Sequence, residues 1–278
     1  MKLPFEVDLH DQVVAITGGG GVLMSGFAKT LAKCGAKVAI LDINEAAAKA
    51  VADEIGENAM AVGTNCLQKD SLEAAKEAIH AKFGKVNFLI NGAGGNNPRA
   101  TTDNEYMTPD MKEGLKTFFD LSAEGLQFVF DLNIITAFLV TQVFAQDMLD
   151  LGSGNILNIS SMNAFRPLTK IPAYSAAKAG ISNFTQWLAV HFAPCNIRVN
   201  AIAPGFFVTN QNRALLFTED GQPTARTNKI LSHTPLGRFG ETTDLDGTLL
   251  WLASKEASGF VTGTVIPVDG GFAAYSGV

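Results

Sequence analysis

Tyr174 and Lys178 stand four residues apart in the segment Pro172-Ala-Tyr174-Ser-Ala-Ala-Lys178. Positions i and i+4 of a helix share a face. An ammonium beside a phenol stabilises the phenolate and draws its pKa down from about 10 toward the working range. Tyr174 is thereby a candidate general acid/base. The spacing is common by chance and usually marks a surface pair. Here it opens an apolar, small-residue stretch, where a merely solubilising lysine is out of place.

A second cluster suits a different chemistry. The run Thr17-Gly18-Gly19-Gly20-Gly21 follows a short apolar segment and precedes a helical pattern. A glycine-rich strand-to-helix turn lets backbone N–H groups approach a pyrophosphate at the helix N-terminus. A tight turn alone rarely needs four glycines in succession. The next apolar run ends in Leu41-Asp42-Ile43. A carboxylate there can bond a ribose 2′-hydroxyl and repel a 2′-phosphate. No Lys or Arg occurs in 17–24 or 42–44 to receive that phosphate. The expected cofactor is NAD.

The elements that must position these groups are legible as alternation. Apolar runs at 13–16, 37–41, 60–62, 88–90, 156–159, 198–202 and 264–268 read as strands buried on both faces. Helical patterns at 22–34, 44–55, 70–83, 123–149, 174–193 and 243–253 lie between them. Strand and helix in turn predict right-handed βαβ units. The expected fold is α/β: a Rossmann-type doubly wound parallel sheet of about seven strands, helices on both faces, in a single domain spanning 1–278. Two polar, irregular segments break the alternation, near 94–121 and 205–240. Both follow strands on their C-terminal side, where such sheets place ligands, so both are expected to be substrate loops.

Composition narrows the class. The 278 residues are 47% hydrophobic and 17% charged, which argues against long disordered tracts. The net charge of -6 gives no electrostatic drive toward nucleic acid or anionic membrane. No apolar run is expected to reach the ~20 residues of a membrane span. Cys34, Cys66 and Cys195 are scattered, and His10, His80, His191 and His233 are isolated, so neither a disulfide framework nor a metal site is expected. A cytoplasmic location follows as an expectation.

These motifs, in this order, resemble the short-chain dehydrogenase/reductase family over almost the whole chain. Thr17, Gly18 and the glycines after them are similar to its coenzyme loop. Asn91-Gly92-Ala93-Gly94 resembles the motif after its fourth strand, with Gly92 where Asn is usual. Asn133, Ser161, Tyr174 and Lys178 match its catalytic tetrad, the separation of 13 from Ser161 to Tyr174 selecting Ser161 over Ser160. Pro204, Gly205 and Thr209 match the loop that contacts the nicotinamide and pyrophosphate. Two later glycines of the family's coenzyme pattern are replaced by Val22 and Met24, and Asn65 stands where an Asp is common.

The resemblance implies roles. Ser161 would hold the substrate oxygen, Tyr174 would pass the proton, Lys178 would bind the nicotinamide ribose, and Asn133 would hold a water leading to solvent. NAD would be held by Thr17, Gly18, Gly20, Gly21, Val22, Leu23, Asp42, Ile43, Asn65, Cys66, Asn91, Ala93, Gly94, Pro204, Gly205, Phe207 and Thr209, with Tyr174 and Lys178. A homotetramer is implied, with no nucleic-acid or membrane partner.

Within the family the loop wording resembles oxidoreductases of the D-mannonate type, which implies a sugar-acid substrate. Asn97, Asn163, Asn210, Gln211 and Asn212 offer donors and acceptors for hydroxyls. Arg166, Lys170, Arg213 and Arg226 are candidates for a carboxylate, Arg213 slightly ahead, with one of the four expected to touch substrate. Two alternatives remain open: a relative acting on gluconate, another polyol or a 3-oxoacyl substrate, and a nucleotide-binding regulator without turnover. The intact tetrad argues against the second.

Overall fold

A computed structural model describes residues 7–209 and 213–277. Seven strands form one parallel sheet in the order β3-β2-β1-β4-β5-β6-β7. They are β1 (Val13–Thr17), β2 (Lys37–Asp42), β3 (Ala59–Gly63), β4 (Phe88–Asn91), β5 (Gly154–Ile159), β6 (Ile197–Pro204) and β7 (Val265–Val268). All seven expected strands are present, each within two residues of its expected limits. The order reverses between β1 and β4, and open α/β sheets bind ligands in the crevice at such a point.

Alternate residues along each strand feed opposite faces. Val14 and Ile16 pack with Phe27 and Leu31 of α1 (Val22–Lys33), near α2 (Glu45–Ile55). Val13 and Ala15 face the other way, toward Leu72 and Ile79 of α3 (Lys69–Lys82). The sheet is covered on both sides, which is why its strands read as continuous apolar runs. Helix ends follow local chemistry. Asn44 caps α2 by accepting the Ala47 amide at 3.2 Å.

The pattern at 123–149 predicts one helix, and the structure differs. α4 (Ala123–Phe130) and α5 (Thr136–Leu151) are joined by a π-helical turn, Asp131–Ile135. The rod 123–151 is long and apolar enough to cross a membrane by length and composition, contrary to the expectation of no such run. Half of its most apolar window is buried inside the protein, against the sheet and its neighbours. α6 (Pro172–Phe192) begins with Pro172, whose fixed φ suits a first helical position. The segment after β6 holds two short helices, α7 (Arg213–Leu216) and α8 (Ala225–Ser232). α9 (Asp246–Ala253) closes the first face through Leu249 and Leu252, and α10 (Lys255–Ser258) follows it.

Candidate active site

The crevice at the β1–β4 reversal is lined first by backbone. Thr17 is buried at the end of β1, and its hydroxyl accepts the amides of Gly92 and Ala93 at 3.1 and 3.2 Å. The glycine loop is thereby tied to the loop after β4. Gly18 has φ +66 and lies against the Ala93 backbone, so a side chain fails there twice. A Cβ on Gly19 would stand 2.5 Å from Ile40 Cγ2, and one on Gly20 2.8 Å from Ala47 Cβ. This crowding explains the run of glycines. Gly21 then caps α1, with Val22 and Leu23 in its first turn.

The two departures at Met24 and Gly92 are one feature. Met24 is buried, and a Cβ on Gly92 would lie 2.2 Å from its sulfur. Met24 fills the space that Gly92 leaves open. The crowding that a methionine brings to the helix–strand contact is relieved by a glycine on the facing loop, a correlation that spacing along the chain does not reveal.

Asp42 marks the far end. One of its oxygens accepts the Gly20 amide at 3.0 Å and the other the Asn44 amide at 2.9 Å. The carboxylate is fixed beside the glycine loop, and Ile43 next to it is 78% exposed, a free apolar platform. The charge of Asp42 also reaches Cys66, whose buried thiol is pushed up to about 12 by desolvation first and that charge second. Cys66 is an unreactive small hydrophobe there. Asn65 lies beside it with its side-chain oxygen accepting the Leu67 amide at 3.0 Å. Adenosine with a free 2′-hydroxyl fits this corner; a 2′-phosphate would face Asp42.

The proton-transfer groups come from three elements. The π turn aims the buried Asn133 inward, and its amide donates to the carbonyls of Gly95 and Val129 at 2.7 and 2.8 Å. π turns often sit at functional sites because the widened turn redirects a side chain. Lys178 is buried, and its Nζ donates to the Ile159 carbonyl at 2.8 Å, which leaves two donors. Desolvation pulls its pKa down to about 8. Gly94 is where these groups converge: a Cβ there would lie 2.7 Å from Asn133 Oδ1 and 3.1 Å from Lys178 Nζ. Tyr174 is half-buried, its hydroxyl hydrogen-bonded to the Ser161 side chain.

One expectation needs correcting. The Tyr–Lys spacing predicts a lowered phenol pKa, yet in this structure Tyr174 stands above its ordinary value. Desolvation of the phenolate outweighs the Ser161 hydrogen bond, and the Lys178 ammonium, 5.6 Å from the ring centroid, bonds Ile159 instead.

Beneath these groups runs a buried polar ladder. Asn91 donates to Thr141 of α5 at 3.0 Å and to Asn158 of β5 at 2.8 Å, and Asn158 donates to Thr185 of α6 at 2.9 Å. The amide nitrogen of Asn91, a residue expected to meet the cofactor, is committed to this ladder, while its buried side-chain oxygen has no partner. Phe207 is likewise buried, its ring against Gly240 and its backbone bridged to that residue. Pro204 ends β6, Gly205 packs on the backbone of Asp269, and the Thr209 carbonyl accepts the Arg213 amide at 3.0 Å.

The substrate candidates separate. Asn163 is 4% exposed, its amide 3.3 Å from Ser161 Oγ, and its side-chain oxygen has no partner. Asn97 caps a short turn, its side-chain oxygen accepting the Arg99 amide at 2.9 Å. Arg213, the favoured cation, is exposed and lies over the Phe217 ring at 5.7 Å. Arg166 donates to the Ala273 carbonyl at 3.1 Å. Asn210, Gln211 and Asn212 lie outside the described residues. The Met24–Gly92 fit and the Ile159 carbonyl have no signal in the sequence, whereas Gly19 stands in its glycine run.

Comparison with known proteins agrees with this geometry. A family model described as Enoyl-(Acyl carrier protein) reductase matches residues 24–273. The chain is 56% identical to an uncharacterized oxidoreductase of Haemophilus influenzae, over 100% of this chain and 99% of that one. It is 33% identical to a 2-dehydro-3-deoxy-D-gluconate 5-dehydrogenase of Formosa agariphila, over 98% and 97% of the two chains. A crystal structure from Haemophilus influenza, solved with bound NAD and provisionally named a D-mannonate oxidoreductase, superposes with a TM-score of 0.94 at 56% identity, covering 100% of both chains. With a glycine-loop crevice, the Ser161–Tyr174–Lys178 cluster and relatives of this kind along its whole length, the chain belongs to the short-chain dehydrogenase/reductase family of oxidoreductases.

Proposed function

We propose that this enzyme interconverts D-mannonate and D-fructuronate, passing hydride between NAD and a secondary alcohol or ketone of the sugar acid. The likeness that carries the substrate is the NAD-bound structure with a TM-score of 0.94 and a D-mannonate name. The site adds a physical argument. A buried amide oxygen without a partner is costly unless a ligand supplies a donor, and the Asn163 oxygen lies beside Ser161, where a hydroxyl of a polyhydroxylated substrate supplies it. The cofactor is NAD, as Asp42 and the bare loop around it require.

The roles follow from the geometry. Thr17, Gly18 and Gly20 present the crowded backbone cradle, Asp42 takes the ribose hydroxyls, and Ile43, Asn65 and Cys66 border the adenine. When bound, NAD supplies the hydride or accepts it. Ser161 holds the substrate oxygen, and Tyr174, hydrogen-bonded to it, gives that oxygen a proton in reduction and removes one in oxidation. Lys178 turns its two remaining donors toward the ribose and Tyr174. Asn133, against Gly94 and Gly95, holds the route by which the proton reaches solvent. The segments 94–121 and 205–240 act as substrate loops of one domain. The protein assembles as a homotetramer: Ile135 and Phe138 of the π turn and α5, and Trp187 and Val190 of α6, expose an apolar surface of the kind that closed symmetric assemblies cover.

A panel of hexonates, neutral polyols and 3-oxoacyl esters, followed by NADH absorbance with NADH and NADPH in parallel, tests the reading. Turnover is expected with D-mannonate and D-fructuronate and with NADH well above NADPH. Preference for a neutral polyol, or equal use of NADPH, overturns it. Asp42→Ala should lose about 1.5–3 kcal/mol of discrimination, the scale of a charge-assisted hydrogen bond.

A further inference from the structure

The two irregular segments meet at an ion pair. Glu105, in the segment after β4, forms an ion pair with Lys229 of α8, in the segment after β6, 124 residues further along the chain. Lys229 is not alone with it. Lys170 and Arg226 also act on the Glu105 carboxylate, and Arg226 acts on Lys229 as well. One cation therefore pairs with the carboxylate, and two more act on it through their charge.

A backbone contact ties this cluster to the entry of the helix that carries Tyr174. Lys170 precedes Tyr174 by four residues, at the entry to α6. Its carbonyl accepts the amide of Thr102 at 2.9 Å, three residues before Glu105. Lys170 also holds φ +73, a left-handed conformation that glycine adopts without strain and lysine does not. The chain keeps a long cation at a corner where backbone alone would favour glycine. Of the other cations considered for a carboxylate, Arg166 is engaged with Ala273 and Arg213 lies over Phe217.

An ion pair with half-exposed partners is weak, because water and salt screen it and two long side chains must be ordered. It is easily exchanged for another carboxylate that arrives already held by neighbouring contacts. A neutral polyol brings nothing to exchange. The geometry points to Lys229 as the residue that selects anionic over neutral substrates: Glu105 occupies its ammonium until the carboxylate of a sugar acid takes that place, with Lys170 and Arg226 drawing the anion in. This rests on the sugar-acid reading above and names the group that reads the acid.

The test compares Lys229→Met and Glu105→Gln with the parent enzyme, each assayed with a hexonate and with a neutral polyol of the same length. Lys229→Met should raise KM for the hexonate about tenfold or more, the loss of one charge-assisted hydrogen bond, with kcat within about twofold and the polyol KM unchanged. Glu105→Gln removes the competitor and should lower the hexonate KM severalfold, again leaving the polyol alone. Equal changes for both substrates in either variant would show a structural tie between loops and overturn the proposal, as would no change in Lys229→Met. A parent enzyme inactive on every hexonate sinks the proposed function instead. In that case competition by D-gluconate against whichever carbonyl compound is reduced reads the same site: inhibition lost in Lys229→Met supports it, and inhibition absent or equal in both enzymes refutes it.

Discussion

The glycine-loop side of the crevice and the side that faces it are built from different materials. Thr17, Gly18, Gly19, Gly20 and Asp42 come from two adjacent strand ends 25 residues apart in sequence, and their work is done by backbone held without side chains. The opposite side draws Glu105, Asn133, Ser161, Tyr174, Lys178 and Lys229 from five separate segments, and what it presents is side chains. The first side is rigid because strand register fixes it; β1 pairs β2 from Val13↔Lys37 to Thr17↔Leu41. The second depends on a π turn, a polar ladder and loop contacts. A nucleotide is much the same from enzyme to enzyme and suits a fixed backbone cradle. A substrate varies, and side chains on loops are what can vary with it.

The sharpest break between the two sides is Tyr174→Phe. It should lower kcat by about 10²–10⁴-fold or more, while NADH binding, measured by fluorescence titration, stays within a few-fold of the parent. Retention of a tenth of the turnover would remove Tyr174 from its role. Gly92→Asn probes the glycine-loop side. A side chain there meets Met24 Sδ and the Thr17 carbonyl, so it should weaken NADH binding and cost about 1–3 kcal/mol in urea unfolding. Adding Met24→Gly should restore part of both, because it removes the sulfur but not the carbonyl. Additive losses would mean that the two positions are not a fitted pair.

The smallest effect is on stability and has an unexpected sign. The pKa of Lys178 falls from 10.5 to about 8 in the folded chain. The folded state thus binds its proton less tightly than the unfolded one. The penalty is complete below pH 8 and fades as pH rises from 8 to 10.5, amounting to about 3 kcal/mol over that gap. Lys178→Met should abolish turnover and weaken NADH binding, yet stabilise the chain at neutral pH by about 1–2 kcal/mol, less than the full penalty because the bond to Ile159 is lost. The difference between variant and parent should shrink above pH 8. A variant less stable than the parent at pH 7 would refute the desolvation argument.

The strands, the glycine turn, Asp42 and the Tyr174–Lys178 pair were determined by the sequence alone, because each is a local pattern: period, composition or a spacing within one turn. Asn133 could be placed in a helix, but not in the π turn that aims it, since the turn has no compositional mark of its own. The fit of Met24 to Gly92 depends on two residues 68 apart that meet only after β1 and β4 pair. The ladder from Asn91 through Asn158 to Thr185, the buried Asn163 oxygen and the raised phenol of Tyr174 are consequences of desolvation, and burial exists only once the sheet is covered. The cation that faces Glu105 was equally out of reach. Charge on a loop is common in any sequence, and only the tertiary structure decides which charges meet, because the loops that carry them are brought together by strands they do not belong to.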